Sequence, residues 1–261
     1  MKHKHSIITL LLAGCMSISF ISCLDEHDDE FAAAEKEKKK LEEEIQKFEQ
    51  IKEVTVSGEI EGYSYVDLGL PSGLKWATVN VGATKPTEFG TYFAWGETET
   101  KDEFLLENYK WYDGESYTKY IKESVTTKSD NKTVLDPEDD AVTANWGDKW
   151  RMPTAEEMQE LIDGCSWKFN TNFINTGVAG IVGMSKTNNN VIFLPAGGSK
   201  PILNGSVPAG YYWTSTFGKN EFSGSHYAGY LYFNSYFNSF YNTAIFEHSR
   251  VDGRSVRAVA K

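Results

Sequence analysis

The chain has 261 residues, 40% of them hydrophobic and 14% aromatic, enough for one sizeable core or at most two small ones. Against 26 Lys and Arg stand 37 Asp and Glu, and the formal charge of −11 disfavours a nucleic-acid binder driven by a basic surface. No apolar run reaches the ~18 to 20 residues of a spanning helix, and three cysteines, at 15, 23 and 165, exclude a disulfide-rich scaffold.

Residues 1–22 read as an export signal. Lys2 and Lys4 give a positive start, and Ile7 to Ile21 an apolar run. Two cysteines compete for the end of it. Leu12-Ala13-Gly14-Cys15 looks like a strong bacterial lipobox, and Phe20-Ile21-Ser22-Cys23 like a looser one. Cleavage before Cys15 would leave a short apolar run and strand Met16 to Ile21 after the anchor. Cys23 is therefore the expected acylation site, with Cys15 as the alternative. The acids that follow, Asp25 to Glu30, resemble the signal that carries some Gram-negative lipoproteins to the outer face of the outer membrane. The expectation is an outer-membrane, surface-exposed lipoprotein held by its acyl chains, with no anionic-lipid contact. Removing Lys2 and Lys4 takes the charge from −11 to −13. Cys165 is then the only cysteine besides the acylated one, so no intramolecular disulfide forms.

Residues 23–53 are expected to form an acidic helical stalk. Residues 24 to 50 hold eleven acids and five lysines, with no Pro or Gly. Ala34, Leu41, Ile45 and Phe48 form a thin apolar stripe. It suits either a short dimerising seam or a solvated spacer helix. Lys38 interrupts it and the stripe is under three heptads, which favours the spacer.

From 54 to 261 Gly, Trp, Tyr and Asn increase. Strands are expected over Tyr65 to Leu70 and Leu74 to Val81 around the turn Leu70-Pro71-Ser72-Gly73. Tyr92 to Trp95 reads as a short strand, and residues 100 to 133 as a polar surface excursion. Asp136-Pro137 suits the N-cap and first position of a helix over Ala141 to Asn145. A calcium loop is the bolder reading of residues 136 to 140, but alternating oxygen ligands and a mid-loop Gly are missing. Thr154 to Glu157 is a capping box behind Pro153, and Met158, Leu161, Ile162 and Cys165 make one apolar helical face. Ile181 to Thr187 and Val191 to Ala196 flank the turn Asn188-Asn189-Asn190. Tyr211 to Thr216, Tyr227 to Asn234 and Ser255 to Val259 are the closing strands.

Val66 to Thr78, Phe93 to Glu97, Asn145 to Thr154, Phe193 to Ala196, Tyr211 to Ser215 and Ser255 to Val259 together resemble, in order and spacing, the FISUMP or major paralogous domain family of bacterial surface lipoproteins. The resemblance covers roughly residues 60 to 261. It implies an α+β fold of C-type lectin-like type: a twisted antiparallel sheet, two helices, long loops, and chain ends paired in the sheet. It also implies that the Trp150-Arg151-Met152-Pro153 segment is structural. Trp76, Trp95, Trp146, Trp150 and Trp213 are expected in packing. That fold is shared with the formylglycine-generating enzymes, whose reactive cysteines lie late in the domain. This chain has none after Cys165. The Glu-Pro-Asn and Gln-Pro-Asp tripeptides of calcium-dependent sugar binding are also missing.

His226 and His248 have no metal-ligand spacing, and no nucleophile elbow, zinc-protease or phosphate-loop motif occurs. The expectation is a non-enzyme with no cofactor, no metal and no nucleic-acid partner. What stands out is residues 211 to 246, with fourteen aromatics in thirty-six positions interleaved with Asn, Ser and Gly. Alternation puts Leu231 and Phe233 on one face of a strand, and Tyr230, Tyr232 and Asn234 on the other. This is the composition of antibody paratopes. The expected ligand contacts are Tyr232, Tyr236, Asn238, Tyr241 and Asn242, in a non-catalytic, adhesion-like binder of a glycan or protein. The alternatives are a structural or accessory subunit of a surface assembly, or a binding protein diversified by a retroelement.

Overall fold

The computed structural model describes residues 24–123, 128–201, 207–218, 221–235 and 244–261. Residues 1–23, where the export signal and the acylation site at Cys23 or Cys15 are expected, lie outside them. The chain divides between Gln50 and Ile51 into two compact units.

The first unit contains helix α1, Leu24–Glu49, built from the Glu, Lys and Ala run that favours helix at nearly every position. The second unit has α+β architecture: eleven strands in mostly antiparallel sheets, with two short α-helices among the described residues. A five-stranded sheet has the order β1-β2-β3-β11-β4. It comprises β1 Gly58–Ile60, β2 Tyr63–Asp67, β3 Lys75–Asn80, β4 Trp150–Arg151 and β11 Arg257–Ala260. The turn before β3 closes as expected, with the Gly73 N–H donating to the Leu70 carbonyl at 2.9 Å. Strand β11 thus inserts between early and middle segments, pairing with both β3 and β4.

Helix α2, Ala141–Trp146, does start after the acidic run, but Asp140 is its cap, not Asp136. Asp140 Oδ1 accepts from Val142 N at 2.8 Å and Thr143 N at 3.0 Å, and its Oδ2 accepts from Met152 N at 2.9 Å. Pro137–Asp139 forms a separate 3-10 turn that shifts the α-helical start onward. Helix α3, Ala155–Gly164, carries the capping box: Thr154 Oγ1 accepts from Glu157 N at 3.2 Å and Thr154 N donates to Glu157 Oε2 at 2.8 Å. Its Met158, Leu161 and Ile162 are buried, each contributing about 1.5–3 kcal/mol. Cys165 is buried but opens strand β5, Cys165–Asn170, instead of ending the helix. The alternation Cys165, Trp167, Phe169 inward against Ser166, Lys168, Asn170 is a period-two signal that overrides the helical one. Strands β6, Gly180–Ser185, and β7, Val191–Pro195, complete a three-stranded sheet with β5. Asn189 in their connection has φ of 61°, the left-handed conformation that Asn tolerates.

A third sheet has the order β10-β9-β8, from β8 Ala209–Phe217, β9 Tyr227–Asn234 and β10 Ala244–Ser249. Tyr92 to Trp95 is no strand. Phe93 makes an isolated bridge to Arg254, exchanging two 3.0 Å backbone hydrogen bonds. Residues 100 to 133 are not merely a surface excursion either. Phe104, Tyr109 and Tyr120 are buried, and Phe104 and Tyr109 form a small satellite core with Ala94 and Val251. All five tryptophans expected in packing are buried. One main cluster gathers Trp76 with α3, β6, β7 and the inner side of β9, and the other gathers Trp95, Trp146, Trp150 and Trp213.

Candidate functional site

Antiparallel register places side chains of the β8-β9-β10 sheet on two faces. Tyr212 pairs with Leu231, and Leu231 with Ile245. Tyr212, Leu231 and Phe233 enter the core beside α3. Tyr211 opposes Tyr232, and Trp213 and Phe246 oppose Tyr230, so these five rings share the other face. Burial falls along it. Trp213 is fully enclosed and Tyr230 is 9% exposed; Tyr211 and Tyr232 are half-buried, and Phe246 is 46% exposed. The rings are in mutual contact. Tyr211 lies 5.0 Å from Tyr232 and 5.9 Å from Tyr230, and Phe246 lies 6.0 Å from Tyr232 and 6.2 Å from Tyr230.

Tyr230 is therefore not displayed outward, as alternation alone suggested. It is covered by Arg254, whose guanidinium centre sits 3.6 Å from the Tyr230 ring centroid, 4.3 Å from Trp213 and 5.5 Å from Tyr211. The bridge to Phe93 fixes the backbone of Arg254, and the indole of Trp213 donates to the Phe93 carbonyl at 2.8 Å. Arg254 Nη2 donates to Asp252 Oδ2 at 2.9 Å, while Nε and Nη1 have no hydrogen-bond partner among the described residues and lie beside aromatic rings. Burial pushes the Arg254 pKa below its ordinary value against the pull of Asp252, and burial raises the phenols of Tyr211 and Tyr230. Asp252 also lies 3.0 Å from His248 Nδ1. The site is thus a graded aromatic surface with a buried cation beneath one end. It offers ring faces for stacking and phenol oxygens for hydrogen bonding.

Of the expected contact residues, Tyr232 is on this surface, with its phenol oxygen accepting from Asn234 Nδ2 at 2.6 Å. Tyr236, Asn238, Tyr241 and Asn242 lie outside the described residues. Sequence reasoning missed Tyr211, Phe246 and Arg254. The cross-strand position of Tyr211 follows from the pairing of β8 with β9, which the alternation of either strand alone does not give. Phe246 belongs to a strand whose period is masked by Glu247 and His248, and nothing local marks Arg254 as buried.

The acidic turn at 136 to 139 is the other cluster with chemical potential. Ligand oxygens of Asp136, Glu138 and Asp139 lie within 4.8 Å of one another. The cation among them is an ammonium: Lys119 Nζ sits 2.6 Å from Asp136 Oδ2, 2.6 Å from Asp139 Oδ2 and 3.4 Å from Glu138 Oε1. Lys110 holds the other oxygen of Asp139 at 3.0 Å and Lys132 pairs with Asp136 at 2.8 Å. The Tyr120 hydroxyl donates to Asp139 at 2.7 Å and accepts from Asp136 N at 2.9 Å. Burial would raise the Asp139 pKa, but these donors hold it below the ordinary carboxylate value, and the lysines do the same for Asp136. The cluster braces the start of α2. Burial pushes the Cys165 thiol up to about 12, so at neutral pH it is a protonated core side chain.

Compared with protein-family models, curated proteins and solved structures, the chain matches none. No described helix is long and apolar enough to cross a membrane.

Proposed function

We propose that this chain is a FISUMP-type lipoprotein, anchored in the outer membrane through acylated Cys23, whose C-type lectin-like domain binds a glycan or protein ligand without catalysis. The observation that carries this reading is the graded surface of Tyr211, Tyr232 and Phe246 over the buried Arg254. Half-buried tyrosines packed on neighbouring rings lose less side-chain freedom on binding than exposed ones, and their rings give contact area to a sugar face or a peptide. Two features of the architecture support the fold assignment: the late strand β11 lies in the sheet of the early strands, and two helices fall mid-chain.

The test uses the 51–261 unit on a glycan array and in pull-downs from surface extracts, with Tyr232→Ala and Tyr211→Ala as controls. A ligand retained by the wild type and lost by both variants, at unchanged thermal midpoint, is the expected result. Silence in both assays, together with unchanged adhesion of a deletion strain, would sink the proposal.

A second reading, a structural subunit of a surface assembly, draws on the exposed Phe246, since an apolar ring at the rim suits a permanent protein contact. Cross-linking on intact cells separates the two: one constant partner in fixed stoichiometry marks a subunit.

A further inference from the structure

Helix α1 is continuous over the 26 residues Leu24–Glu49, nearly four heptads, longer than the apolar stripe alone suggested. Leu41 and Ile45 remain 44% and 38% exposed, large apolar side chains on the surface of a charged helix. In heptad register, Lys38 and Ile45 occupy a positions, and Ala34, Leu41 and Phe48 occupy d positions. The sequence continues the repeat backward, with Phe31 and Leu24 at a and His27 at d.

The charges are sorted by that register. The flanking e positions are Asp28, Glu35, Glu42 and Glu49, and the g positions are Glu30, Glu37 and Glu44, so every flank position is acidic. Four of the five lysines, at 36, 39, 40 and 47, lie at b, c and f on the far side, and the fifth is Lys38 within the seam. In a parallel pair g faces e of the partner, and in an antiparallel pair e faces e and g faces g. A second copy would therefore set acid against acid along both flanks in either orientation. Lys39 and Lys40 stand at i,i+4 from Glu35 and Glu44, which softens the flank charge without reversing it.

We propose that α1 is one half of a heterotypic coiled coil, and that its partner is an amphipathic helix with Lys or Arg at its e and g positions and an acidic residue facing Lys38. The acidic flanks select that partner and reject a second copy of this chain, and Lys38 fixes the register.

The test uses the full chain in detergent micelles and two synthetic helices of about four heptads, each with Leu at a and d and one Glu opposite Lys38. One carries Lys at every e and g position and the other Glu, so both repel themselves and differ only in flank sign. Labelled-peptide anisotropy is expected to show the Lys-flanked helix binding at least tenfold more tightly, by rough count of the flank pairs, with the difference shrinking as salt rises. Replacing Glu35, Glu37, Glu42 and Glu44 together by Lys is expected to invert the preference, with helicity checked by circular dichroism. Equal binding of both peptides, no binding of the Lys-flanked one up to about 100 µM, or concentration-dependent self-association of the full chain abolished by Leu41→Asn would each overturn the proposal.

Discussion

Arg257 and Arg254 stand three residues apart, both buried, and the protein treats their charges differently. Around Arg257 every donor group has an oxygen. Nε donates to Asn80 Oδ1 at 2.9 Å, Nη1 to the Ala77 carbonyl at 3.0 Å and Nη2 to the Phe193 carbonyl at 3.0 Å. One side chain therefore ties β3 and β7 to β11. Burial lowers its pKa to about 10, still far above neutrality, so it stays charged among neutral oxygens. Around Arg254 aromatic rings replace the oxygens, and one carboxylate takes the remaining bond. A guanidinium bonded on all sides acts as a fastener. One faced by rings leaves a positive charge under a surface that reaches solvent, and this is the end of the molecule where ligand contact is proposed.

Substitutions test that contrast. Arg257→Met strips three buried oxygens of their donors and is expected to lower unfolding free energy by about 3–5 kcal/mol, measured by urea denaturation of the 51–261 unit. A loss under about 1 kcal/mol would show that Arg257 fastens nothing.

The partly buried cationic site around Lys119 is paired by carboxylates and so responds to acid. The folded pKa values of Asp136 and Asp139 lie below the ordinary 3.8. Their stabilisation is complete above about pH 4 and is lost as pH falls through the folded values. Asp139→Asn is expected to cost about 2 kcal/mol at neutral pH and to flatten the fall in stability on the acid side, read from denaturation midpoints across that range.

Arg254→Leu is expected to cost less than Arg257→Met, about 1–2 kcal/mol, because it leaves only Asp252 without its donor and that carboxylate also faces His248. If its cost equals that of Arg257→Met, the distinction between the two arginines fails. Tyr232→Ala is expected to move stability least, by under about 1 kcal/mol in the same denaturation assay, while removing ligand binding on the array.

Much of this framework was legible wherever one signal spoke alone. Thr154 and Glu157 announced α3, Asn188 to Asn190 marked the β6–β7 connection, and the five tryptophans indicated packing. Signals in competition were harder to read. Five consecutive residues, Asp136 to Asp140, include four acids, and only the 3-10 turn decides that Asp140 caps α2. Cys165 fits both a helical and a period-two pattern, and the alternation of β5 decides it. Phe104, Tyr109 and Tyr120 are dispersed among polar residues, so their burial depends on partners distant in sequence, such as Arg250, whose guanidinium lies 5.2 Å from the Tyr109 ring centroid. For the candidate site, the alternation of β9 placed Tyr232 on the ring face. The strand pairing that adds Tyr211 and the bridge that brings in Arg254 are three-dimensional facts.

The position of β11 has a consequence for how the domain matures. Residues 257–260 fill the gap between β3 and β4, so the five-stranded sheet stays open until that segment has left the ribosome. Closure joins segments about 180 positions apart, an arrangement that slows folding and leaves the nascent polypeptide available to chaperones until residues 257–260 emerge. A nick anywhere between these partners, made before closure, would release two fragments that must find each other by diffusion.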